Sequence, residues 1–162
     1  MGYTTDFDGE VGISPPLSEK EIKYINMFSD TRRMDRENGP YYVGGGGMCG
    51  QDHEEDIIDY NRPDDSQPGL WCQWVVNEEG DTLSWDGGEK FYYATEWMRY
   101  IVDHFLGANP LAKLNNPEHF DFLQGHTLDG DIYADGEENG DVWKIEVRDN
   151  IVTEKQGAVS YD

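Results

Sequence analysis

Carboxylates, four histidines and two cysteines are the side chains of this chain best suited to chemistry, and their spacing decides what they can do. His53-Glu54-Glu55-Asp56, with Cys49 four positions earlier, offers metal donors. Zinc takes three or four Cys or His ligands in paired spacing, and His104, His119 and His126 form no such pair. Asp129-Gly130-Asp131 and Asp135-Gly136-Glu137-Glu138 offer oxygen ligands for calcium. Counted from Asp131, however, position 3 is Tyr133 and position 12 is Val142, so the calcium-loop pattern fails. Gly44 to Gly47 invites comparison with a phosphate loop but lacks the following Lys and Ser or Thr. Cys49 and Cys72 carry no local signature of a nucleophile, and a disulfide between them is left open. The pattern therefore predicts no metal, no cofactor and no catalytic residue.

The carboxylates are informative as groups rather than as pairs. Residues 52–65 hold seven acids and one Arg, and residues 129–141 hold six acids and no base. Such runs are ordinarily solvated faces. Placed on one side of a compact body, they would present a row of negative charge. A groove lined with Lys and Arg cannot tell such a row from phosphates by charge alone. Asp52, Glu54, Glu55, Asp56 and Asp59 form the first candidate partner-binding group, and Asp129, Asp131, Asp135, Glu137 and Glu138 the second. A competing reading, a small-molecule-binding protein or enzyme, uses the only basic cluster, around Arg32 and Arg33, to face an anionic ligand. Its pocket would be lined by Tyr41, Tyr42, Trp71 and Trp74 beneath the glycine loop.

Composition sets the partners. Against 34 Asp and Glu stand 12 Lys and Arg, a net charge of −22. That excess repels nucleic-acid phosphates and anionic membrane surfaces, and it favours a basic protein surface, such as that of a nucleic-acid-binding protein. No apolar run approaches the length of a membrane span, and no basic segment followed by an apolar one opens the chain. A cytoplasmic protein is the expectation. At 162 residues one domain over 1–162 is expected, long enough to bury a core without staples.

The elements that must carry these residues read as follows. Tyr3 to Ser14 alternates apolar and polar residues, a strand, and Pro15-Pro16 ends it. Ser18 with Glu21 forms a capping box, and the stripe of Ile22, Ile25 and Phe28 predicts a helix from Glu19 to between Phe28 and Asp30. Periodicity then disappears over the Gly- and Asp-rich segment 38–68, apart from a short strand expected at Tyr41 to Val43 and Ile57-Ile58 tucked inward. Leu70 to Val76 and Thr82 to Trp85 form a hairpin that carries Trp71, Trp74 and Trp85, three of the five tryptophans, and should anchor the core. Asp86-Gly87-Gly88 turns the chain, with Asp86 as cap, into a helix from Glu89 to Leu106 whose stripe is Phe91, Ala94, Trp97, Met98, Ile101, Val102 and Phe105. Leu111 to Phe122 is irregular, and alternation at 128–134 and 143–147, with a turn at Asp149-Asn150 into Ile151-Val152-Thr153, predicts two or three closing antiparallel strands. The fold class is α+β: one mostly antiparallel sheet with two amphipathic helices packed on one face.

Four blocks of this sequence, MGYTTDF at 1–7, FSDTRRM at 28–34, QPGLWCQW at 67–74 and WDGGEKFY at 85–92, occur in order. In these blocks the chain resembles a family of small acidic proteins found on bacterial genomes, phages and mobile elements. The resemblance spans residues 1–106 and, more loosely, the strands after Leu128. It implies a self-contained intracellular protein without a known activity to carry over. By analogy with other small acidic proteins of mobile elements, it points to an inhibitor or nucleic-acid mimic aimed at a nucleic-acid-handling or host-defence protein.

Overall fold

The computed structural model describes residues 2–157; Met1 of the first sequence block and residues 158–162 of the expected domain lie outside them. Strand β1, Thr5–Ser14, buries Phe7, Val11 and Ile13 on one face and turns Asp6, Asp8 and Glu10 outward, as its period of two requires. Helix α1, Glu19–Asp30, starts on the expected capping box: Ser18 Oγ accepts the Glu21 N–H, and Glu21 returns the bond to the Ser18 N–H. Two short strands follow, β2 at Asp35–Arg36 and β3 at Ile57–Asp59, and they pair with each other in a small separate ribbon. Next come β4, Trp74–Val76, and β5, Thr82–Trp85, then helices α2, Ala94–Ile101, and α3, Leu111–Asn115. The closing strands are β6, Thr127–Gly136, β7, Val142–Arg148, and β8, Ile151–Gln156.

Six strands form one antiparallel sheet in the order β4-β5-β1-β6-β7-β8, and α1 and α2 cover one of its faces. This is the α+β layout expected. Beneath the helices Phe7 sits edge-on to Trp74, Trp85, Phe91 and Trp143, with ring centroids 5.5 to 5.8 Å apart. Such pairs add about 0.5–1.5 kcal/mol each beyond the area they bury. A second aromatic cluster joins Tyr24, Phe28, Tyr100, Phe105 and Phe120 between the helices.

Several local expectations are corrected. Helix α2 begins at Ala94 rather than Glu89, because Asp86 Oδ1 accepts the Gly88 N–H in a tight turn and Tyr93, at φ 62°, provides the left-handed entry. Asp86 is therefore a turn residue and not a helix cap. The last helical turns, Val102–Leu106, widen to π geometry before the Gly107 N–H closes on the Val102 carbonyl. Leu70 to Gln73 lie outside the ladder, with a bend at Leu70, Tyr41 to Val43 form no strand, and part of the expected irregular region is α3.

The 38–68 segment is fastened rather than loose. Arg33, 3% exposed, donates to the carbonyls of Thr31, Pro40 and Tyr42 and lies 4.1 Å over the Phe28 ring. Gln67 reaches the Pro40 carbonyl and the Tyr100 hydroxyl, and the Tyr24 hydroxyl donates to the Tyr41 carbonyl. Outside the short β2–β3 pairing, polar side chains do the fastening that a backbone ladder would otherwise supply.

Candidate functional site

The uncovered face of the sheet gathers the charge. Across the β1–β6 ladder Asp6 stands opposite Asp135, Asp8 opposite Tyr133 and Glu10 opposite Asp131, with Asp129 opposite Gly12. All six carboxylates belong to the outward positions of their strands, since the intervening Phe7, Val11, Leu128, Ile132 and Ala134 are buried. The strands meet closely because Gly130 carries no side chain: a Cβ there would lie 2.6 Å from the Val11 Cα. Gly9, opposite Ile132 at φ +107°, is equally restricted, its Cβ falling 2.4 Å from the Asp131 carbonyl oxygen. Like charges directly opposite each other destabilise a sheet by a few tenths of a kcal/mol to about 1 kcal/mol.

Cations lie to one side of this row. Arg148 on β7 reaches Asp131 at 3.0 Å, and Lys144 and Lys155 both reach Glu146 at 3.2 Å. Those two lysines hold the Glu146 carboxyl below its usual range. The face thus runs from acidic, over β1 and β6, to mixed, over β7 and β8. A shallow groove of about 720 Å³ crosses it between Asp6, Asp8, Tyr133 and Asp135 on one side and Lys144 and Lys155 on the other.

The two acidic groups expected from the sequence are not brought together. Asp129, Asp131 and Asp135 sit on the open face. Glu137 and Glu138 lie at the β6–β7 turn, where Glu137 accepts the Thr4 N–H and the Glu138 N–H donates to the Tyr3 hydroxyl. The first group lies on the helix side, in the segment packed against α1 and the π turn. There Asp56 pairs with the buried Arg36 at 3.2 Å and accepts from Asn38, while Glu54 accepts the Gly46 N–H at 2.6 Å. Asp52 folds against Gly47, and Asp59 accepts the Asn61 N–H. The glycine loop is thus wrapped by carboxylates, the opposite of what a phosphate cradle needs. Glu55 is exposed.

The aromatic residues proposed for a pocket are separated as well. Trp74 is fully buried against Phe7 and Phe91, with its ring N–H on the Ala94 carbonyl. Tyr41 belongs to the other aromatic cluster, its hydroxyl donating to His104 Nδ1 at 2.7 Å. Burial lowers the His104 pKa to about 4, so the ring is neutral and Nδ1 can accept. Arg32 stacks over Tyr60, Tyr42 lies beneath Arg36, and Trp71 is half-buried. Arg33 is committed to three carbonyls. Cys49 and Cys72 are free thiols, and burial raises the Cys72 pKa to about 11. Among the described residues no three His, Cys, Asp or Glu side chains are grouped to hold a metal ion, and no helix is long and apolar enough to cross a membrane.

Asp6, Asp8 and Glu10 are the residues that sequence reasoning missed. Their signal was the polar half of the first strand's alternation, which placed them beside one another but could not say which strand would lie next. No protein-family model matches the chain, and neither a curated protein nor a solved structure matches it.

Proposed function

We propose that this protein acts by binding, as an acidic inhibitor or decoy that occupies the basic surface of a protein handling nucleic acid. The observation that carries the reading is the double row on the open face. From Asp6 to the level of Asp129 the strands rise about 20 Å, at about 3.3 Å per residue. Pooled over the two rows, six carboxylates over that length give one charge per ~3.3 Å, or one per ~4 Å without Asp131, of the same order as the ~3.4 Å of one nucleic-acid strand. Arg148 neutralises one of them, at Asp131. The pair Asp6–Asp135 strains the isolated sheet, and a Lys- or Arg-lined partner would relieve that strain. The resemblance to acidic proteins of phages and mobile elements adds a direction: a host nuclease or defence complex as target.

The test is capture from a host lysate with the wild-type chain, an Asp6→Asn/Asp8→Asn/Asp135→Asn variant, and an equally neutralised Asp52→Asn/Glu55→Gln/Asp59→Asn control. A nucleic-acid-binding protein should be retained by the wild type and the control and lost by the open-face variant. Added DNA should compete it off. Retention by all three, or indifference to DNA, would rule out mimicry by this face.

A further inference from the structure

The sheet has two outer strands, and only β4 is sealed. Asn26 of α1 accepts the Val76 N–H at 2.9 Å and donates to the Val76 carbonyl at 3.0 Å, and the Ser29 hydroxyl donates to the Trp74 carbonyl at 2.6 Å. Strand β8 is different. Its register with β7 places Lys155 opposite Lys144 and Thr153 opposite Glu146, and the Gly157 N–H continues that ladder onto the Val142 carbonyl. Backbone groups alternate in direction along a strand, so those of Val152, Glu154 and Gln156 point away from β7. Arg99 takes the Val152 carbonyl at 3.3 Å. Among the described residues, the N–H and C=O groups of Glu154 and Gln156 have no partner. Such an edge is a template for another strand.

The surroundings of this edge say what would sit there. On the helix side a groove of about 370 Å³ runs between the start of α2 and β8, with Phe91, Tyr92, Tyr93 and Trp143 as aromatic walls and Glu96 and Glu154 as acids. Tyr92 and Tyr93 are large, exposed aromatics, at 47% and 58%. An added strand would send the side chain opposite Glu154 toward this groove, because cross-strand partners share a face. Aromatic rings beside carboxylates are the surroundings that hold Lys or Arg, through the ring face and a charge-assisted hydrogen bond. A second copy of this chain would instead bring another −22 of charge to the same edge.

We infer that β8 accepts an extended segment of a partner chain as a seventh strand, with Lys or Arg at the position that faces the Phe91–Trp143 groove. The inference rests on the reading of the protein as a binder of basic partners and adds how such a partner is gripped. Two synthetic peptides of about eight residues test it, one alternating Thr with Lys and one alternating Thr with Glu. Binding is followed by calorimetry and by amide hydrogen exchange. The lysine peptide should bind and slow exchange at Glu154 and Gln156, and the glutamate peptide should not bind. Gln156→Pro removes one outward donor without touching the ladder to β7, so it should weaken the lysine peptide about tenfold while Gln156→Ala leaves it unchanged. Failure of the lysine peptide to bind overturns the inference. Binding that leaves both amides unprotected and is unmoved by Gln156→Pro overturns it too. In that case loss of binding in the Asp6→Asn/Asp8→Asn/Asp135→Asn variant would still support the acidic face, and retention would sink both readings.

Discussion

His126 is 3% exposed, and both of its ring nitrogens meet acceptors: Nδ1 the Pro15 carbonyl at 2.6 Å and Nε2 the Glu21 carboxylate at 2.7 Å. Glu21 also accepts the N–H groups of Ser18 and Gln124, which holds it ionised and makes His126 an imidazolium. Burial alone would push the Glu21 carboxyl up, but these hydrogen bonds outweigh it and hold it low. Burial alone would likewise lower His126, but Glu21 and the Pro15 carbonyl raise it. A raised histidine contributes stability fully below its unfolded value of about 6.5 and loses it as pH climbs through the folded value. The lowered Glu21 contributes above the usual carboxylate range and loses it as pH falls. His104, lowered to about 4, contributes above about 6.5 and loses that contribution toward acid. Stability should therefore peak near pH 6–7. In urea unfolding, His126→Gln should cost about 3–5 kcal/mol at pH 6 and clearly less at pH 9; an equal cost at both would contradict the ion pair. Arg33 belongs to the same scale. Lys in its place keeps the charge but cannot span three carbonyls, so Arg33→Lys should destabilise by about 2–3 kcal/mol in the same assay.

At the scale of elements, the acidic rows depend on how closely β1 and β6 approach. Gly130 lies in the middle of that pair, and a methyl group there would meet the backbone of Glu10 and Val11. Gly130→Ala should cost at least about 2 kcal/mol in thermal or urea unfolding, more than overpacking at a yielding site. A cost near zero would show that the strands can part. The elements themselves were legible where local physics decides. The capping box and apolar stripe placed α1 from Glu19 to between Phe28 and Asp30, alternation placed β1, β6 and β7, and the turn at Asp149-Asn150 placed β8. The start of α2 was not legible, because the apolar spacing of Phe91 matches the helix while the turn at Asp86–Gly88 and the left-handed Tyr93 delay it. The ribbon of β2 and β3 has no pattern of its own and exists through pairing between residues some twenty positions apart.

At the scale of the whole molecule, a charge of −22 is self-repelling, and part of that repulsion is concentrated where Asp6 faces Asp135. Asp6→Asn should raise stability by about 0.5 kcal/mol while weakening a basic partner, the opposing changes expected of a surface kept for binding rather than for folding. Added NaCl should raise the melting temperature of the unbound protein and lower its affinity for that partner, since screening acts on both. A melting temperature indifferent to salt would contradict the repulsion. By itself the sequence determined the α+β class, most of the core aromatics though not the half-buried Trp71, and the acidic balance, because periodicity, capping and composition are local or additive. Only the tertiary structure decided which acids share a surface. It set Asp6, Asp8 and Glu10 beside Asp129, Asp131 and Asp135, and it tied Asp52 and Glu54 to the glycine loop and Asp56 to Arg36. The reason is that a strand's neighbour and a loop's partner are chosen by contacts distant in sequence, and no local spacing records them.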